Sequence, residues 1–160
     1  KAIDIARPGD VIVVDAGGIN TQAIIGEIMS SLAERNGVAG MVIDGAIRDA
    51  DALALSSFPV YASGVTHRGP YKNGPGEINV PVVIGNAVVN PGDLIIGDDD
   101  GLLALPQALA AETVALALDQ AKKEAALLKA IRGKGKVDRR WVDEALRAKG
   151  CAIPAGMRSR

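Results

Sequence analysis

A chain of 160 residues with 48% apolar but only 2% aromatic side chains fits one domain with a core of Val, Ile, Leu and Ala, the filling of buried parallel strands in α/β proteins. The net charge of −1 gives no basic footprint for nucleic acid, and no apolar run approaches the roughly 18 residues of a membrane span. One cysteine, Cys151, excludes an internal disulfide; with no signal-peptide pattern, the cytoplasm is the default compartment.

The chain starts at Lys1 without Met and goes almost at once into "RPGDVIVVDAGG", from which we expect an upstream part missing from this chain. "PGDVIVVD" (8–15) and "PGDLIIGD" (91–98) each read as a Pro-Gly turn, an Asp and an apolar strand, the same turn chemistry used twice. In "TQAIIGEIMSSLAERNG" (21–37), Ile24, Ile25, Ile28, Met29 and Leu32 recur at helical spacing and predict a helix over 21–36, with Asn36-Gly37 as its stop. A strand over 40–45, a short helix around 49–56 and strands near 58–62 and 79–89 follow. The Gly/Pro-rich connection 63–79 is long enough to suspect function. "GLLALP" (101–106) reads as a strand, Gln107 to about Ile131 as a helix, 132–138 as a polar break and 139–149 as a final helix carrying Trp141. The expected organisation is a mixed α/β catalytic core over 1–131, with an extension over 132–160 that packs on the core or on a neighbouring subunit.

The charges of interest are Glu27 and the adjacent Arg48–Asp49. Glu27 alone fits a capping or solvated helix residue, and Arg48–Asp49 alone is equally bland. Together they sit at the two ends of one α–turn–β unit, where a strand's C-terminal end and a helix N-terminus commonly share an edge. Two carboxylates and a guanidinium there suit a hydrated dication and an anionic substrate. Mg²⁺ typically takes one or two carboxylates and keeps several waters, and Arg presents a planar fork to a carboxylate.

"GE" followed by twenty residues and "RD" (Gly26-Glu27, Arg48-Asp49), with "NVPVVIGNAVVNPGDLIIGDDDGLLALP" (79–106) and "AKKEAALLKAIRGKG" (121–135), resembles the divalent-metal pyruvate aldolases. These are the 4-hydroxy-4-methyl-2-oxoglutarate/4-carboxy-4-hydroxy-2-oxoadipate aldolases, in the superfamily of the regulator-of-ribonuclease-activity-A-like proteins. The resemblance implies a layered α/β/α sandwich, assembled as trimers or dimers of trimers with sites between subunits. It implies Asp49 as the metal ligand, with Mg²⁺ or Mn²⁺ as the metal, and Glu27 orienting metal-bound water where most of these aldolases have Asp. Arg48 would contact the substrate and the developing enolate, and the backbone from Gly26 through Glu27 and Ile28 to Met29 would receive the pyruvyl carboxylate. Glu124 resembles an acid donated by a neighbouring subunit; an ordinary surface Glu on a Lys-rich helix is its equal alternative. Two departures stand out: Glu27 adds a methylene, and Asn86 replaces a usual Gly. The family's N-terminal segment is also absent here.

The implied reaction is retro-aldol cleavage of a 4-hydroxy-2-oxo di- or tricarboxylic acid to pyruvate and a second oxo acid, with oxaloacetate decarboxylation as a side activity. The rival is a non-enzymatic regulator binding a ribonuclease or helicase. Neither nucleic acid nor a membrane is an expected partner. His67 alone in a loop fits a solvated residue, although His67, Arg68 and Lys72 could read distal carboxylates. Asp98–Asp99–Asp100 lacks the EF-hand spacing and reads as a turn.

Overall fold

The computed structural model describes residues 1–70, 72–133 and 135–152. The chain divides into two units, Lys1–Ala108 and Leu109–Arg160.

In the first unit a short helix α1 (Ala2–Ile5) precedes β1 (Val11–Ile25), α2 (Glu27–Arg35), β2 (Gly40–Ile47), α3 (Ala50–Leu55) and β3 (Val60–Val65). The three strands form a parallel sheet in the order β1-β2-β3. β2 lies in the middle and is buried at every position but Asp44, which explains why "GMVIDGAI" reads as a nearly unbroken apolar run. Its alternate residues Met41, Ile43 and Ile47 join Ile3, Ile25, Ala33, Val38, Leu53 and Phe58 in one core. Ile43, 2% exposed, is its best-buried large side chain; truncation to Ala would cost on the order of 2–5 kcal/mol. Two hairpins complete the unit: β4 (Val82–Ile84) with β5 (Ala87–Val89), and β6 (Leu94–Asp98) with β7 (Gly101–Leu105). Ile84, Val89, Ile95 and Leu103 of these hairpins share an apolar cleft with Val13 and Val42 of the sheet.

The two Pro-Gly-Asp turns are built alike. Asp10 accepts the Arg7 N–H at 2.8 Å and Asp93 the Asn90 N–H at 2.9 Å, with Gly9 at φ 91° and Gly92 at φ 93°. One turn opens a parallel strand and the other an antiparallel hairpin.

The second unit holds α4 (Ala110–Arg132), entered through a 3-10 turn at Gln107–Leu109, and α5 (Arg140–Ala148). Among the described residues no helix is long and apolar enough to cross a membrane.

Three expectations are corrected. The helix predicted over 21–36 starts only at Glu27, because Ala23 and Ile25 pair with Ala46 and Ile47 of β2 as the end of β1. The single strand near 79–89 is the β4–β5 hairpin, turned at Gly85, whose φ of 58° suits a residue without Cβ. The first strand does not stop at Asp15 but runs to Ile25 through register shifts after Asp15, Ile19 and Ala23.

Candidate active site at the joint of two strands and two helices

The polypeptide leaves β1 at Ile25, passes Gly26 in extended conformation and enters α2 at Glu27. Gly26 is buried, and a Cβ there would collide with Asp49 Oδ2 and stand 2.8 Å from Arg48 Cγ. The glycine is required by close approach, not by backbone strain. In the first turn of α2 the Ser30 N–H reaches Gly26 O at 3.1 Å. The buried Ser30 hydroxyl donates to Glu27 O at 2.9 Å. The N–H groups of Glu27, Ile28 and Met29 precede the intrahelical ladder and point out of the helix end.

Asp49 takes one of these three. The pairing of β2 with β1 continues past Ile47 through a bond from the Arg48 N–H to Ile25 O at 3.0 Å, and the chain then turns sharply at Asp49. Asp49 occupies the left-handed region, φ 57° and ψ 40°, and begins α3 without capping it by its side chain. Instead its Oδ2 accepts the Glu27 N–H at 3.0 Å and lies 3.6 Å from Arg48 Nε. A carboxylate is thereby fixed at the positive end of α2, the arrangement the helix dipole favours.

Gly26, Ile28, Met29 and Arg48 line a cleft together with Ile24, Ile25 and Pro70. Pro70 belongs to the Gly/Pro-rich connection, which is tied to both β2 and β1 just before it. Thr66 N–H donates to Ile47 O at 2.9 Å and Ala23 N–H to Arg68 O at 2.9 Å. Gly69 lies beside the guanidinium, 3.6 Å separating Arg48 Nη1 from the place of a Gly69 Cβ.

The structure thus brings together Gly26, Glu27, Ile28, Met29, Arg48 and Asp49. Glu124 belongs to α4 in the other unit, where it accepts a bond from Gln120 Nε2 at 2.8 Å. His67, Arg68 and Lys72 are exposed and do not line the cleft. Ile24, Ile25 and Pro70 escaped the sequence reading; only the length of the 63–79 connection hinted at a wall there. Among the described residues no three His, Cys, Asp or Glu side chains gather as a metal cage; the carboxylate held beside Arg48 is that of Asp49.

The Aldolase/RraA model of the RraA-like family matches residues 1–104. A protein named "putative 4-hydroxy-4-methyl-2-oxoglutarate aldolase" from Halalkalibacterium halodurans is 47% identical over 107 residues, covering 67% of this chain and 51% of that protein. The chain therefore spans about half the length of that relative. The crystal structure of an uncharacterized protein from Pseudomonas syringae pv. tomato superposes with a TM-score of 0.76 at 32% identity, over 84% of this chain and 68% of that one. Streptomyces coelicolor RraAS2, described as an unusual member of the RNase ES inhibitor RraA protein family, gives a TM-score of 0.73 at 33% identity, over 80% and 66% of the two chains.

Proposed function

Because the chain belongs to the Aldolase/RraA family and has its α/β sandwich fold, we propose that the cleft between α2 and the end of β2 carries out retro-aldol cleavage. The substrate is a 4-hydroxy-2-oxo di- or tricarboxylic acid of the 4-hydroxy-4-methyl-2-oxoglutarate or 4-carboxy-4-hydroxy-2-oxoadipate type. The observation that carries the reading is the clasp of Asp49 on the Glu27 N–H with Arg48 beside it, over a glycine that leaves them room.

The N–H groups of Ile28 and Met29 at the start of α2 receive the substrate's 1-carboxylate. Arg48, half-exposed beside the cleft, offsets the negative charge that develops on the 2-oxo oxygen as the C3–C4 bond breaks. Glu27 accepts the C4 hydroxyl proton through a water, and C3 of the resulting enolate is reprotonated to give pyruvate. Glu124, brought by a neighbouring subunit, shares that proton transfer. Asp49 and Glu27 are hard oxygen donors and few in number, which fits Mg²⁺ or Mn²⁺ holding most of its waters and does not fit a zinc cage. Asp49 would be the direct ligand. When bound, the ion supplies Lewis-acid stabilisation of the enolate charge. Loss of CO₂ from oxaloacetate leaves the same pyruvate enolate, so decarboxylation accompanies the aldolase activity.

A homo-oligomer, a trimer or a dimer of trimers, is part of this reading. The half-exposed Val83, Val88, Ile96 and Leu103 of the hairpins suit burial against a second copy. A second reading, a non-enzymatic regulator of a ribonuclease or helicase, draws support from the description of the Streptomyces relative. The two separate on one experiment, pyruvate release from 4-hydroxy-4-methyl-2-oxoglutarate and from oxaloacetate, coupled to lactate dehydrogenase. Turnover that needs Mg²⁺ and stops with EDTA supports the aldolase. No turnover of either substrate by the assembled oligomer supports the regulator.

A further inference from the structure

The near-zero charge of the whole chain conceals a segregation. Lys1–Ala108 carries 6 Lys/Arg against 13 Asp/Glu, and Leu109–Arg160 carries 12 against 6, formal charges of −7 and +6 that together make the −1 of the chain. Such asymmetry marks one part of a chain as a partner for polyanions. Within the basic unit the charge is densest at "RGKGKVDRRW" (132–141), which joins α4 to α5. Arg132, Lys136 and Arg139 are exposed and, among the described residues, make no ion pair; Arg140 is held by Asp138. Beside them Trp141, the only tryptophan of the chain, is 66% exposed.

We propose that Arg132, Lys136, Arg139 and Trp141 of the second unit bind single-stranded nucleic acid, RNA being the case argued. Residues 135–139 are non-helical backbone that can follow a phosphate chain. Lys and Arg side chains spaced along it neutralise successive phosphates, and an exposed indole at its end offers a base a stacking face. An anionic membrane fits less well. Apolar and charged residues are mixed around α4; α5 is amphipathic, but its nine residues offer little apolar area, and membrane binding scales with the apolar area buried. The proposal is independent of the aldolase reading.

The test is a titration of the full chain with a labelled RNA of about 16 nucleotides, the upper end of a single-fold site, at 50 and 200 mM salt. Anisotropy reports binding and Trp141 emission reports stacking; inorganic polyphosphate and vesicles containing phosphatidylserine serve as probes without bases. Binding that weakens at least about tenfold between the two salts, with quenched emission, is expected. The triple variant Arg132→Gln, Lys136→Gln, Arg139→Gln should lower the logarithmic salt slope by about 2, from about 0.7 per lost phosphate contact. Trp141→Ala should weaken RNA binding about tenfold and leave polyphosphate binding unchanged. Helicity by circular dichroism checks that the variants fold. Absence of RNA binding at 50 mM salt, binding to vesicles alone, equal binding of RNA and polyphosphate without quenching, or an unchanged salt slope in the triple variant overturns the proposal.

Discussion

The Asp49 carboxylate accepts the Glu27 N–H at 3.0 Å across 22 residues of sequence, so the end of β2 caps the helix that begins at the end of β1. The bond uses Oδ2, which also faces Arg48 Nε at 3.6 Å, whereas Oδ1 takes no hydrogen bond among the described residues. One oxygen therefore ties α2 to the end of β2, and the other makes no such tie. This division makes the structural role of Asp49 separable by mutation from the proposed chemical one.

Asp49→Asn keeps an oxygen acceptor for the Glu27 N–H, and Asn tolerates the left-handed backbone at φ 57°. Its stability should match the parent within about 0.5 kcal/mol. Asp49→Ala loses the acceptor and strains the backbone, a destabilisation of about 2 kcal/mol. Urea unfolding of the two variants checks the difference; equal midpoints would show that the bond holds nothing.

Gly26→Ala inserts a methyl against Asp49 Oδ2 and, at 2.8 Å, against Arg48 Cγ. The ion pair must move outward. We expect a loss of about 1–3 kcal/mol in stability, and a fall in turnover on the order of 10²-fold from misplacing the guanidinium by about 1 Å. Steady-state kinetics at a temperature where the variant remains folded measures the second effect. Full activity would mean that Arg48 does not act from this position.

In the second unit, the hydrogen bonds from Arg140 hold the Asp138 carboxyl at about 2, below its ordinary 3.8. A lowered acid favours the folded state where it is ionised, so this contribution is complete above pH about 3.8 and fades as the pH falls through about 2. Arg140→Ala should return the Asp138 midpoint toward 3.8 in an NMR titration of the side-chain carboxyl. An unmoved midpoint would assign the shift to another cause.

The paired Pro-Gly-Asp turns make a prediction of symmetry. Asp10→Ala and Asp93→Ala each remove the acceptor of one turn N–H, at 2.8 and 2.9 Å, and each should cost about 1 kcal/mol in denaturant unfolding. A cost at one turn alone would mean that the repeated motif is not used alike.

These turns were legible in the sequence because Pro, Gly and Asp each act locally on the backbone. The central strand was legible too, since burial on both faces writes itself as "GMVIDGAI". So was the convergence of Glu27 with Arg48–Asp49, which follows from one strand–helix connection at each end. The end of β1 was not. In "TQAIIGEIM" the apolar spacing suits a helix, and only pairing of Ala23 and Ile25 with β2 decides for a strand. Tertiary contacts likewise decide that 79–89 folds back on itself at Gly85, and that Pro70 forms a wall of the cleft. Nor did the residue types reveal that Asp49 caps α2 rather than α3, a choice made by its left-handed backbone.

The central claim is that the clasped trio Glu27, Arg48 and Asp49 cleaves oxo acids. Its most direct test compares pyruvate release from 4-hydroxy-4-methyl-2-oxoglutarate by the parent protein and by Asp49→Asn, both with Mg²⁺ and both shown to be equally folded. The account predicts turnover by the parent and a loss of at least about 10²-fold in the variant, since weakening even the groups that support a metal ligand costs about 10–100-fold. Equal rates from the two proteins would contradict it.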